Sequence, residues 1–154
     1  MLDPIIKCIE VPCNQKKAFT VFVDEMHTWW PLGKFTTSAM AGAPAVGISI
    51  DKVPGGKITE LGAGGRETHW GTVKSYDPYG AFSMDFHIPT PDYEVGPMSL
   101  VEVTFTEMDS QRTMVELKQT NWEVFADMAE GVRGGYNAGW GMIFEGAYKE
   151  ACGG

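Results

Sequence analysis

"VEVTFTEMDSQRTMVELKQ", residues 101–119, alternates apolar and polar side chains on both sides of a short polar turn. Val101, Val103 and Phe105 fall on one face, with Glu102, Thr104 and Thr106 on the other. Beyond "MDSQ", Val115 and Leu117 return to the first face, and Met114, Glu116 and Lys118 to the second. A period of two marks a strand that buries one face and wets the other, and two such runs about a turn predict an antiparallel hairpin. Gln119 follows on the apolar face, where a polar group needs a hydrogen-bond partner.

The same pattern extends upstream. Strands are predicted over 66–76 and 80–87 around "DPYG", with Phe82, Met84 and Phe86 inward because their alternates are Ala81, Ser83, Asp85 and His87. A four-residue loop at 77–80 pairs Tyr76 with Ala81, Val73 with Met84 and Gly71 with Phe86. Parity then turns Val73, Gly71, His69 and Glu67 inward and Trp70 outward, beside His87. A loop one residue shorter would bury Lys74 together with Trp70 and Thr72, and is disfavoured for that reason.

Outside these hairpins, "ISIDKV" and "KITEL" flank a Gly-rich turn, and "IIKCIEV" (5–11) reads as a first strand ended by Pro12. "NQKKAFTVFVDEM" offers Asn14 as an N-cap and Ala18, Phe19, Phe22 and Val23 at helical spacing. Residues 36–47 have small-residue loop composition, and 88–97, with three prolines, is a long loop. From 123 to 150, Phe125, Met128, Val132, Tyr136, Gly139/Trp140, Ile143 and Ala147 recur every three or four residues, as on one face of a helix. The glycines there each cost about 1 kcal/mol relative to Ala. They predict a bend or late start near "RGG", or a close approach of the helix to something else. The order predicts an α+β domain spanning 1–154, a curved antiparallel sheet covered by the C-terminal helix.

Composition narrows the function. With 154 residues, a formal net charge of −8 and a pI near 4.8, the chain lacks the basic stripe that phosphate backbones require, so nucleic acid is not an expected partner. No apolar run is long enough for a membrane span and the N-terminus lacks the pattern of an export signal, so a cytoplasmic protein is expected. Cys8, Cys13 and Cys152 lack the close pairing of a zinc knuckle or redox dithiol and are expected to be free thiols. Three scattered histidines make no metal site, no "GxSxG" setting appears, and "PGGK" and "GAGGRE" read as turns rather than phosphate cradles. No cofactor is expected. The acidic late hairpin reads as a solvated face.

"VPCNQKKAFTVFVDEMHTWWP", "HWGTVKSYDPYGAFSMDF", "VEVTFTEMDSQRTMVELKQTNW" and "YNAGWGMIF" together resemble the activator of heat-shock protein 90 ATPase homologue-like family. That family lies within the START-like, birch-pollen-allergen-like (SRPBCC) superfamily. The resemblance spans nearly the whole chain and implies a helix-grip fold, in which a curved sheet wraps a long C-terminal helix with a cavity between them. Relatives often read Leu-x-His-x-Gly-Trp where this chain has "LKQTNW", so that Gln119 stands for the His and Asn121 for the Gly.

Within that fold "HTWWPLGKF" (27–35) belongs near the cavity mouth, where Trp30 and Phe35 either wall a pocket or plug the core. Glu67 and His69, two apart on one strand, read in three ways: a structural pair satisfied by Gln119 or Tyr136, hydrogen-bonding groups for a ligand, or an acid–base pair as in the superfamily's polyketide cyclases. The expected function is binding of an apolar, aromatic ligand between helix and sheet. Its contacts are Trp30, Phe35, Glu67, His69, Phe82, Met84, Phe86, Val103, Tyr136, Trp140 and Phe144. Two alternatives stand beside it: stimulation of a heat-shock protein 90 ATPase, which the family name implies, and cyclase- or dehydratase-like catalysis by Glu67 and His69. An outward Trp70 would offer a homodimer face.

Overall fold

The computed structural model describes residues 2–92 and 96–153. Residues 93–95 of the predicted 88–97 loop lie outside the described residues. The strands β1 (Ile5–Val11), β2 (Ala45–Ile50), β3 (Lys57–Gly62), β4 (Glu67–Asp77), β5 (Ala81–Phe86), β6 (Ser99–Asp109) and β7 (Arg112–Thr120) form one antiparallel sheet in the order β1-β7-β6-β5-β4-β3-β2. Consecutive hairpins build it from β2 to β7, and β1 closes on β7.

Register follows the alternation wherever the strands are regular. Val101 pairs with Gln119, Val103 with Leu117 and Phe105 with Val115; Phe82 pairs with Val103 and Met84 with Val101. All of these side chains are buried. Ile5 and Ile9 extend the same apolar row onto β1, opposite Gln119 and Val115. Asn14 caps α1 (Gln15–Val23), its side chain accepting from the Lys17 amide at 2.8 Å, and Ala18, Phe19, Phe22 and Val23 pack inward. Short helices α2 (Met26–Trp29) and α3 (Thr37–Met40) follow; α3 falls within the segment predicted as loop.

β4 departs from simple parity. Asp77 pairs with Ala81 and Tyr76 with Phe82, so the β4–β5 loop is the shorter one, while Val73 still faces Met84 because the register shifts between Val73 and Ser75. That bulge leaves Lys74 exposed, which removes the objection to the short loop. A second shift, against β3 between Ile58 and Thr59, comes at Gly71, where a Cβ would lie 1.9 Å from the Asp85 carbonyl oxygen. Only glycine allows so close an approach. Beyond it the faces exchange: Trp70 and Thr68 are buried, His69 is half-buried and Glu67 is exposed. The inward placement of His69 and Glu67 and the outward one of Trp70 are thereby corrected, while Gly71 is buried as expected, and the dimer face that an exposed Trp70 would offer disappears.

The C-terminal helix starts late, as its glycines imply, but the break precedes "RGG". A 3₁₀ segment over Trp122–Met128 carries a kink at Ala126 (φ 50°) and leads into α4 (Ala129–Met142). The helix widens to π geometry over Ile143–Tyr148 before a last turn at Lys149–Ala151. Its inward rings come at intervals of four: the half-buried Tyr136, then Trp140, Phe144 and Tyr148, all buried. Steps of four drift about 40° around an α-helix, and the wider π turn offsets that drift. Phe144 and Tyr148 consequently stack at 5.6 Å, and Tyr148 meets Phe22 and Trp29, each at 5.2 Å.

Candidate functional site

Between helix and sheet, the space a helix-grip fold can leave open is filled by indoles. Trp30 lies 5.1 Å from Trp70 and 5.9 Å from Trp140 between ring centroids, and Phe86 completes the group at about 6 Å from all three. Each N–H is satisfied: Trp30 donates to the Phe35 carbonyl at 2.8 Å, Trp70 to Glu60 at 2.9 Å and Trp140 to Gln119 at 2.8 Å. Gln119 passes the chain on through Ser99 Oγ (2.8 Å) to the Phe86 carbonyl (2.6 Å). The fully buried Glu60 accepts from the amides of Thr37 and Ser38, the Ser38 hydroxyl and Trp70, tying α3 to β3. A carboxylate with four donors around it is a structural clamp.

Open volume remains at the mouth. A cavity of about 230 Å³ lies along the first turns of α4, lined by Phe35, Ile88, Val132, Tyr136 and Ile143 and floored by Gly131, Gly135 and Gly139. A second, of about 220 Å³, adjoins it across His87, Ile88 and Val132 and extends to Pro89, Pro97, Phe125 and Met128. The glycines at 131, 135 and 139 recur at i, i+4 and i+8, hence on one helix face. A Cβ on Gly131 or Gly135 would meet nothing within 4 Å, so their missing side chains are part of the open space. Sharing three residues, the cavities form one apolar groove of the size of a small-molecule pocket, about 300–1,000 Å³.

Its polar feature is a pair. Tyr136 Oη accepts from the Ile88 amide at 2.8 Å and lies 2.9 Å from His87 Nδ1. Burial lowers the His87 pKa, which favours the neutral ring, and burial likewise raises that of Tyr136, keeping the phenol protonated. A phenol proton given to Nδ1 leaves the neutral His87 ring with its own proton on Nε2. Nε2–H has no acceptor among the described residues. The Phe125 ring, 4.7 Å away, holds the imidazole in place.

A family model described as activator of Hsp90 ATPase homolog 1-like protein matches residues 12–146. The chain belongs to that family. No curated protein matches it. Among solved structures it is similar to the self-sacrificing resistance protein CalC from Micromonospora echinospora, with 22% identity over 97% of this chain and 93% of that one and a TM-score of 0.67. It is also similar to the anthrahydroquino-gamma-pyrone synthase Txn09, with 24% identity over 86% and 85% and a TM-score of 0.59. A third is the Aha1 dimer from Colwellia psychrerythraea, with 16% identity over 93% and 91% and a TM-score of 0.61. At these identities the likenesses establish the helix-grip fold and nothing narrower. Both departures from the Leu-x-His-x-Gly-Trp pattern that the resemblance implied have a local reason here. Gln119 bridges Trp140 and Ser99, and Asn121 takes the left-handed conformation (φ 72°) that Gly or Asn tolerates best.

The residues expected at the site divide into three sets. Phe35 and Tyr136 line the groove. Trp30, Phe82, Met84, Phe86, Val103, Trp140 and Phe144 are enclosed in the core, so the rings of "HTWWPLGKF" cover the inner space themselves, with Phe35 alone reaching the mouth. Glu67 and His69 line neither cavity and meet neither Gln119 nor Tyr136 among the described contacts. His87, expected on the outer face, instead contacts α4, because the chain leaves β5 after Phe86 and strand alternation ends there. Ile88, Val132, Gly131 and Gly135 were also outside the expected site, although the four-residue glycine spacing was visible in the sequence. Among the described residues no helix is long and apolar enough to cross a membrane, and no cluster of His, Cys, Asp or Glu could hold a metal.

Proposed function

We propose that the protein binds a flat, largely apolar small molecule in the groove at the mouth of the grip, with its ring system along the glycine face of α4 and one acceptor atom on His87 Nε2–H. The observation that carries this is the open space beside Gly131 and Gly135. A helix gives up about 1 kcal/mol at each such glycine, and the groove they leave has an apolar lining with one oriented donor, the usual make-up of a small-molecule site. The relatives' names range from a synthase to a resistance protein on the same fold, so the fold alone does not select an activity. No carboxylate pairs with His87 among the described residues, which favours binding over acid–base turnover.

The test is a fluorescence titration with 2-naphthamide, a planar probe with an amide acceptor. Saturable binding to the wild type that is lost in Gly135→Leu is expected, since the leucine fills the groove from a site where nothing else is displaced. Undiminished binding to Gly135→Leu, or no binding to the wild type, sinks the proposal.

A further inference from the structure

The described lining of the groove carries one formal positive charge, Lys34, in an acidic chain. In a chain of net charge −8, none of the described residues lining either cavity is acidic. At the rim stands Lys34, whose ammonium contacts a thioether, Met142 Sδ at 3.5 Å, and the face of Phe35 at 5.5 Å. Neither contact neutralises it, and among the described residues no carboxylate lies within 4.0 Å of it; it shares that with most of the lysines and is set apart by its place on the groove. The Phe35 ring below it is itself a wall of the groove, so the cation–π contact holds the charge over the opening.

From this juxtaposition of an ammonium and a neutral N–H donor in an apolar groove whose described lining holds no acidic residue, we infer that the ligand is an aromatic carboxylate. This rests on the proposal that the groove binds a planar ring at all. The ring takes the place beside Phe35, Val132 and the glycine face; the carboxylate lies at the rim, where Lys34 supplies the opposite charge and His87 Nε2–H a hydrogen bond. Charge-assisted hydrogen bonds of this kind are roughly twice as strong as neutral ones. A neutral aromatic of the same shape keeps the apolar contacts but lacks the ion pair with Lys34.

The two levels separate in one experiment, in which 2-naphthoate and 2-naphthamide are titrated at pH 7.5 against wild type, Lys34→Gln and Gly135→Leu. The inference expects the wild type to bind naphthoate about tenfold tighter than the amide, and Lys34→Gln to lose that preference because naphthoate weakens far more than the amide. Lys34 is exposed, so its replacement leaves the fold intact. Equal affinity for the two probes, or a preference that survives Lys34→Gln, overturns the carboxylate assignment and leaves the groove standing if Gly135→Leu still abolishes binding. Failure of both probes to bind the wild type overturns both.

Discussion

Tyr136 Oη lies 2.9 Å from His87 Nδ1 and thereby joins the middle of the C-terminal helix to the residue just after β5. A phenol that accepts from the Ile88 amide and gives its one proton to Nδ1 sets the imidazole as its Nε2–H tautomer.

Tyr136→Phe removes that proton and leaves the Ile88 amide without its partner. A loss of about 1–2 kcal/mol in urea unfolding is expected. Nitrogen chemical shifts of His87 should show the Nε2–H tautomer in the wild type and a mixture in the variant; an unchanged tautomer would falsify the assigned donor direction.

Stability should fall on mild acidification, and part of the fall belongs to His87. Burial lowers its folded pKa below the ordinary 6.5, so below about pH 6.5 the unfolded chain takes up a proton that the native ring resists. Stability from this group is fully present above that pH and declines until the lower folded pKa is passed. The urea midpoint of His87→Gln should therefore change less between pH 7.5 and 5.5 than the wild type's. An equal change in both proteins would remove His87 from the account.

Glycines whose absent side chains face open space can be tested one by one. Gly134→Ala and Gly135→Ala should each raise stability by about 0.5–1 kcal/mol, since a Cβ at either position meets nothing within 4 Å. Gly71→Ala should cost several kcal/mol or abolish folding, because its Cβ would collide with the Asp85 carbonyl. Thermal unfolding of the three variants decides it.

Glu60 and Glu67 differ in burial, and isosteric amides expose the difference. Glu60→Gln sets an NH₂ group against donors and should cost roughly 2–4 kcal/mol. Glu67→Gln, on the exposed side of β4, should stay within about 0.5 kcal/mol. A large loss at Glu67 would restore the inward register of that strand.

Asn121 occupies a left-handed backbone position, so Asn121→Gly should be tolerated while Asn121→Ala costs about 1 kcal/mol. Equilibrium unfolding of the pair measures this directly.

Much of the fold was legible in the sequence because its signals are local. The alternation of Val101–Phe105 against Val115–Gln119, the Asn14 cap and the three-to-four-residue spacing of Tyr136, Trp140, Ile143 and Ala147 each follow from the geometry of one element. Those patterns determined the antiparallel sheet, its apolar face and the helix that covers it. Only the tertiary structure decided which residues of β4 face inward, because two bulges, at Lys74 and Gly71, each exchange the faces and a period-two pattern cannot count them. It also decided where space remains. The rings of Trp30, Trp70, Phe86 and Trp140 come from four separate segments, and whether they fill the grip is a sum of volumes that no single segment encodes. The candidate site accordingly moved from the sheet interior to the mouth, where His87 meets Tyr136 because the chain has already left the strand.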